Sequence, residues 1–246
     1  MINGKIKTVL ITGGATGIGR ACALKYAHKG YSVIINYLSS EAQALALKDE
    51  IIAMGETCYI FQADVSCREQ VEIMREQVEK LFKRIDVLVL CSGVSLVRLI
   101  TDTTDEEYDR VMNINARGQF NCMRAFLPTM IQKKEGSIVC VSSVWGEHGA
   151  SCEAVYAMSK SAVIGLSKSA SLEVAPSGIR VNCICPGVID TKMNDCFSNE
   201  EKEEITKKIP LGRFGKVEEV AELIFDISEN EYITGQVVSI NGGFAI

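Results

Sequence analysis

The chain has 246 residues, is hydrophobic at 47% of its positions and carries a formal net charge of −5. That is enough apolar material for a large core in one domain spanning 1–246, and the mild acidity sets nucleic acid aside as a partner, because Lys25, Lys48, Arg75, Lys83 and Arg124 are dispersed. The opening stretch Met1 to Lys7 lacks the apolar core of a secretion signal, and no run reaches the roughly 18 apolar residues of a membrane span, which predicts a cytoplasmic protein without a membrane partner.

Short β-branched runs alternate with longer stretches of helical period. Strands are expected at Thr8 to Thr12, Ser32 to Asn36, Thr57 to Gln62, Asp86 to Leu90, Ser137 to Val141, Ile179 to Cys185 and Gln236 to Ile240. The alternation predicts the α/β class: a three-layer, doubly wound Rossmann fold on a parallel sheet of about seven strands. A helix from near Ser40 runs through Ala44, Leu47 and Ile51 and stops at Gly55; others are expected over Glu106 to Met130 and Val155 to Glu173. Of four prolines, Pro128 and Pro176 fall near apparent helix ends. The segment Asp190 to Phe214, with Asn194, Asp195, Ser198 and Asn199, is polar and irregular enough to serve as a substrate lid. The ten cysteines include no CxxC pair and have only His28 and His148 for company, so reduced thiols and no metal site are expected. Cys58, Cys91, Cys140, Cys183 and Cys185 lie in apolar runs.

Directly after the first strand comes Thr12-Gly13-Gly14-Ala15-Thr16-Gly17-Ile18-Gly19-Arg20, which runs into the apolar helix Ala21 to Ala27. Glycines permit positive φ and close backbone approach, and the first amides of the helix attract an anion, so the turn suits a pyrophosphate. A tight turn with close helix packing is the alternative. The second strand ends Tyr37-Leu38-Ser39-Ser40 with no carboxylate for a ribose 2′-hydroxyl; Ser39 and Ser40 suit a 2′-phosphate, which leans toward NADPH, although no arginine or lysine completes the set. Asp64 is placed to meet an adenine edge or, equally, to cap the helix from Val65 onward.

Tyr156 and Lys160 stand one helical turn apart and emerge on one face. A free phenol ionises near pH 10, so its use in proton transfer around neutrality calls for a nearby cation, which Lys160 is placed to supply; a Tyr and Lys at this spacing also occur on solvated helix faces. Ser143 follows the strand Ile138 to Val141, where strand ends border the ligand crevice of open α/β sheets.

With these residues in order, the chain resembles the short-chain dehydrogenase/reductase family over essentially its whole length. Thr12 to Gly19 matches the family's cofactor turn, Ser143 its serine, Tyr156 and Lys160 its YxxxK, Asn115 in Asn113-Ile114-Asn115-Ala116 its fourth catalytic position, and Pro186 to Thr191 its nicotinamide-side loop. The resemblance implies a cofactor site of Gly13, Thr16, Gly17, Ile18, Gly19, Tyr37, Leu38, Ser39, Asp64, Val65 and Gly93. Tyr156, Lys160, Pro186, Gly187, Val188, Ile189 and Thr191 complete it, with NADP(H) preferred over NAD(H). It further implies that Tyr156 transfers a proton, Ser143 binds the reacting oxygen, Lys160 stabilises phenolate and holds the ribose, and Asn115 anchors a relay water. Leu90-Cys91-Ser92-Gly93 departs from the family's Asn-Asn-Ala-Gly, which removes side-chain hydrogen bonds that brace the sheet's centre but no catalytic group.

Within the family the chain looks like 3-oxoacyl-acyl-carrier-protein reductases, which implies a ketone substrate, NADPH and a homotetramer built through the helices Glu106 to Met130 and Val155 to Glu173. Of the two basic positions that hold the acidic carrier protein, only Lys134 matches; Ser177 stands at the other. Ser143-Val144-Trp145-Gly146 and Gly149 to Glu153 resemble a subgroup, the elongation factor P 5-aminopentanone reductases, whose protein-carried ketone bears an ammonium. Glu147, Glu153 and a cation–π contact with Trp145 suit such a substrate; solvated glutamates and a packing tryptophan explain the segment equally. A non-catalytic NADP-binding regulator on the same fold is the alternative of another class.

Overall fold

Parallel strands buried on both faces read as continuous apolar runs, and the central strands here do so. The computed structural model describes residues 6–194 and 197–244. Its strands are β1 (Thr8–Thr12), β2 (Ser32–Tyr37), β3 (Cys58–Gln62), β4 (Val87–Leu90), β5 (Gly136–Val141), β6 (Ile179–Pro186) and β7 (Val237–Ile240). All pair parallel in one sheet of order β3-β2-β1-β4-β5-β6-β7. The expected doubly wound seven-stranded sheet is therefore present, with strand limits within a residue of the sequence reading.

Two apolar layers flank it. On one face α1 (Gly17–His28), α2 (Glu41–Ala53) and α9 (Val217–Glu229) bury Tyr26, Leu47 and Ile224 against Val9, Ile11 and Ile35. On the other, α3 (Arg68–Phe82), α5 (Gly118–Lys133) and α7 (Ala154–Val174) bury Met74, Phe126 and Val163 against Leu10, Leu88 and Ile138. The remaining helices are α4 (Asp105–Met112), α6 (Val144–Glu147) and α8 (Asn199–Lys208).

Three expectations need correction. The single helix over Glu106 to Met130 is α4 and α5 joined by a π turn at Asn113–Arg117, whose extra residue per turn leaves no mark in hydrophobic period. Pro128 sits inside α5, not at its end; it removes one backbone hydrogen bond, but Phe126 and Met130 on either side are fully buried and their packing keeps the helix running. The polar segment is not wholly irregular, because α8 lies within it, opened by a reciprocal Ser198–Glu201 capping box. Asp195, named in that segment, lies outside the described residues.

Candidate active site

Strand order reverses between β1 and β4, and in such sheets the ligand crevice opens at the carboxyl ends of those strands. Here Gly13 follows β1 with φ 61°, and a Cβ on it would fall 3.0 Å from Ser92 Cα, so the two chain segments meet backbone to backbone. Thr12 ties them: its hydroxyl accepts from the Cys91 and Ser92 amides at 3.0 and 3.2 Å. This threonine does part of the bracing that the missing asparagine at Cys91 leaves undone. Replacing Thr12 by valine should cost about 1–3 kcal/mol, since both amides lose an acceptor. Chemical denaturation of the two proteins measures it, and an unchanged midpoint would remove the brace.

The glycine turn fits a bound pyrophosphate. Gly17 has φ 52° and opens α1, Thr16 precedes it in extended conformation with no side-chain cap bond, and the Gly14 amide is held by Asn36 O at 3.0 Å. The Thr16 side chain therefore leaves the leading amides of α1 uncapped. Thr191 stands across the turn, its methyl 3.6 Å from where a Gly17 Cβ would be, while Ile18 packs on the core beside buried Ile189.

At the far end of the crevice, Tyr37 is buried and Leu38 and Ser39 are exposed. The Tyr37 hydroxyl is pushed above its ordinary range by burial and by the Glu41 carboxylate it meets. Ser40 precedes α2 without using its hydroxyl as a cap, leaving that helix N-terminus open. Asp64 accepts from the Ser66 amide at 2.8 Å and hydroxyl at 2.7 Å, a local turn, whereas α3 begins only after Cys67. Val65 is buried against Gly118.

The catalytic candidates gather where β5 ends. Ser143, Tyr156 and Lys160 are 7%, 8% and 5% exposed, and Asn115 is fully buried. Lys160 Nζ donates to Val141 O at 3.1 Å and lies 5.7 Å from the Tyr156 ring centre. Asn115 clamps the loop after β4 at two points: Oδ1 accepts from Val94 N at 2.8 Å and Nδ2 donates to Val94 O at 2.9 Å. Its Nδ2 also reaches Ser159 Oγ at 2.9 Å, joining the π turn to α7 between Tyr156 and Lys160. Ser143 Oγ accepts the Trp145 amide at 3.2 Å, so its own proton remains for a substrate oxygen. Gly93 completes a cradle that a side chain would fill, a Cβ there standing 3.2 Å from Lys160 Nζ and 3.3 Å from Asn115 Oδ1.

Neighbours that the sequence reading missed hold this set. Ser142 donates to Lys160 O at 2.8 Å, and Gly146 sits so close that a Cβ would fall 2.6 Å from Ser142 Oγ and 2.9 Å from Lys160 O. Their positions beside Ser143 were the only signal available. The loop after β6 is fixed from β7: Gly187 N donates to Ile240 O at 2.9 Å, and a Cβ on Gly187 would fall 2.7 Å from Asn241 Cα. Pro186 ends β6, and Val188 O accepts from Gly215 N.

The three substrate candidates separate. Glu147 is exposed and accepts a hydrogen bond from Ser239 on β7. Glu153 is part-buried beside Trp145; burial raises its carboxyl above the usual range, and a hydrogen bond from the Trp145 side chain opposes that rise. Cys152, with φ 62°, is part-buried, and its carbonyl accepts from Arg98 N at 2.6 Å. Cys58, Cys140, Cys183 and Cys185 are buried and Cys91 is part-buried, its thiol pushed up to about 11 by burial against the opposing Lys160 charge. Among the described residues, no cluster of His, Cys, Asp or Glu can hold a metal, and no helix is long and apolar enough to cross a membrane.

Residues 13–245 match a family model described as Enoyl-(Acyl carrier protein) reductase. The 3-oxoacyl-[acyl-carrier-protein] reductase FabG of Staphylococcus aureus (strain Mu50 / ATCC 700699) is 39% identical over 239 residues, covering 96% of this chain and 97% of that protein. The "Uncharacterized oxidoreductase YmfI" of Bacillus subtilis (strain 168) is 40% identical over 241 residues, covering 97% and 98%. A solved structure described as "Crystal structure of gox2181" superposes with a TM-score of 0.93 at 29% identity, covering 98% of this chain and 96% of that one.

Proposed function

Because the chain belongs to the short-chain dehydrogenase/reductase family, an oxidoreductase family acting on carbonyl and hydroxyl groups, we propose that it is an NADPH-dependent ketone reductase acting as one domain through Asn115, Ser143, Tyr156 and Lys160. The observation that carries this is the burial of Ser143, Tyr156 and Lys160 together at the end of β5, beside the Gly93 cradle.

The residues suit the dinucleotide. Gly13, Thr16, Gly17, Ile18, Gly19 and Thr191 would hold its phosphates, Asp64 and Val65 its adenine, Pro186 to Ile189 and Gly93 its nicotinamide half, and Lys160 the nicotinamide ribose. When bound, it supplies the hydride. Ser143 donates a hydrogen bond to the substrate oxygen and draws negative charge there as the carbonyl is reduced. Tyr156 gives that oxygen its proton, the Lys160 ammonium stabilises the phenolate left behind, and Asn115 holds the loop and helix that frame the relay. Preference for NADPH rests on the open N-terminus of α2 at Ser40 with Ser39, where a 2′-phosphate meets free amides; Glu41 at the same terminus acts against it.

For the substrate, we propose a ketone bearing an ammonium, of the kind carried as 5-aminopentanone on elongation factor P. Support comes from Glu153, a part-buried carboxylate three residues before Tyr156 and beside the Trp145 side chain. The second reading, reduction of a 3-oxoacyl group on acyl carrier protein, is favoured by the name of the Staphylococcus relative. Against it, only Lys134 of the two carrier-holding positions is basic and Ser177 stands at the other; both precede β5 and β6, at the end of the sheet opposite Tyr156, where Asp86 and Glu135 are already paired with Arg84 and Glu229 with Lys7. A homotetramer is supported by apolar side chains left exposed on the two expected helical faces: Tyr108, Phe120 and Ile131, and Met158 and Leu172.

The test compares turnover of aminopentanone-modified elongation factor P and of a 3-oxoacyl thioester, each with NADPH and NADH, in the wild type and Glu153→Gln. Loss of a partly desolvated ion pair should lower kcat/KM on the modified protein by about tenfold or more and leave the thioester nearly untouched. Equal losses on both substrates would turn the assignment to the acyl thioester.

A further inference from the structure

The Trp145 wall of the site is held from the end of the chain. Trp145 meets Phe244 edge to face, ring centres 5.5 Å apart at 62°. On its other side the Trp145 side chain stands near enough to Glu153 to hold its carboxyl down against burial, and the Trp145 amide donates to Ser143 Oγ. One residue thus joins the three: its amide reaches Ser143, and its side chain meets the N-cap residue of the Tyr156 helix and the turn after β7.

That turn is built to place Phe244. Asn241 Oδ1 accepts from Gly243 N at 2.8 Å and Asn241 O from Phe244 N at 3.1 Å, while Gly242 and Gly243 take φ 64° and 84°. It is packed from two directions by elements of the site. Gly187, in the nicotinamide-side loop, abuts Asn241 Cα; Pro210 Cγ would lie 2.9 Å from a Gly243 Cβ, and Leu211 N donates to Gly242 O at 3.1 Å, so the end of the lid segment rests on the same turn.

We propose that Phe244 is a specificity-determining positioning residue, fixing the Trp145 indole against Glu153 so that the pair forms the wall a substrate meets beside Ser143. Phe244 touches neither reacting atom and acts through Trp145. The charge the wall selects, an ammonium-bearing ketone, rests on the substrate reading above; the placement of Trp145 by Phe244 does not. Without the aromatic edge the indole gains rotamer freedom, and its contacts with Glu153 and with a bound cation weaken together.

Trp145 is the chain's only tryptophan, so its fluorescence reports this contact directly. The experiment takes full-length wild type, Phe244→Ala and Phe244→Tyr, and reads emission maximum, acrylamide quenching, and KM and kcat with NADPH on 5-aminopentan-2-one and on a neutral 3-oxoacyl thioester. Phe244→Ala should red-shift and expose the tryptophan and raise KM for the amino ketone about 3- to 10-fold with kcat largely kept. Phe244→Tyr should restore both. If KM rises equally on both substrates while the fluorescence moves, Phe244 stands as the positioning residue and the cationic reading falls. An unmoved fluorescence, or a moved fluorescence with KM unchanged on both substrates, overturns the proposal.

Discussion

Replacing Tyr156 by phenylalanine is expected to lower turnover by about 10²- to 10⁴-fold while leaving NADPH affinity nearly unchanged. The substitution is unusually clean. Tyr156 is 8% exposed, and its hydroxyl makes no hydrogen bond to the described protein residues, so its removal leaves no partner stranded. The phenyl ring keeps the same packing and remains near Lys160 Nζ, 5.7 Å from the ring centre in the parent. Lys160 also keeps its bond to Val141 O, so the ammonium that would hold the nicotinamide ribose stays in place. Only the proton donor is lost. Steady-state turnover together with NADPH titration by cofactor fluorescence separates the two quantities. Wild-type turnover in the variant would take Tyr156 out of the proton transfer, and a parallel collapse of NADPH binding would make it a cofactor ligand first.

The legibility of this chain follows the range of the interactions involved. The strands were readable because a buried parallel strand must be apolar on both faces, and Val87–Leu90 leaves little else to be. The glycine turn and the Ser143, Tyr156 and Lys160 set were readable because their spacing is local: a turn after a strand, one helical turn apart. What stayed hidden depends on contacts across the sequence or on features without period. The π turn at Asn113–Arg117 differs from α-helix by one residue in a ring, yet it lets Asn115 grip Val94 on one side and Ser159 on the other. The helix α8 buries no residue, so no apolar stripe announced it; the Ser198 to Glu201 capping box was its one signal. Glu147 and Glu153 looked equivalent in a short loop, and the fold sends the first to Ser239 and the second to Trp145. The meeting of Trp145 with Phe244 reaches across α7, β6, α8, α9 and β7, and nothing local to either residue foretells it.

The second large effect belongs to the cofactor turn. Gly19→Ala is expected to abolish most NADPH binding, with at least about a tenfold loss of affinity, and to destabilise the protein by about 1–3 kcal/mol. Gly19 is the third residue of α1, in its first turn, where its lack of a side chain lets the helix press against the loop it grew from. A Cβ there would run into the Gly13 carbonyl oxygen and stand 2.9 Å from both Gly13 C and Gly14 Cα. All three are backbone atoms, so no rotamer change relieves the overlap; either α1 must lift or the turn must open. Opening the turn strains the Gly14 N to Asn36 O bond that ties it to β2 and the backbone contact of Gly13 with Ser92 beyond β4. Lifting α1 withdraws the amides that would meet the pyrophosphate. Both routes damage the phosphate site, whereas Ser143, Tyr156 and Lys160 lie on β5 and α7 and are not touched. Thermal unfolding with and without a fixed NADPH concentration reads the two effects at once, because a ligand that binds only the folded state raises the midpoint by an amount that grows with the logarithm of its concentration over Kd. The variant should unfold earlier and lose the NADPH-dependent rise. A lower midpoint with the full rise intact would mean that the phosphates are held elsewhere and that the glycine turn serves packing alone.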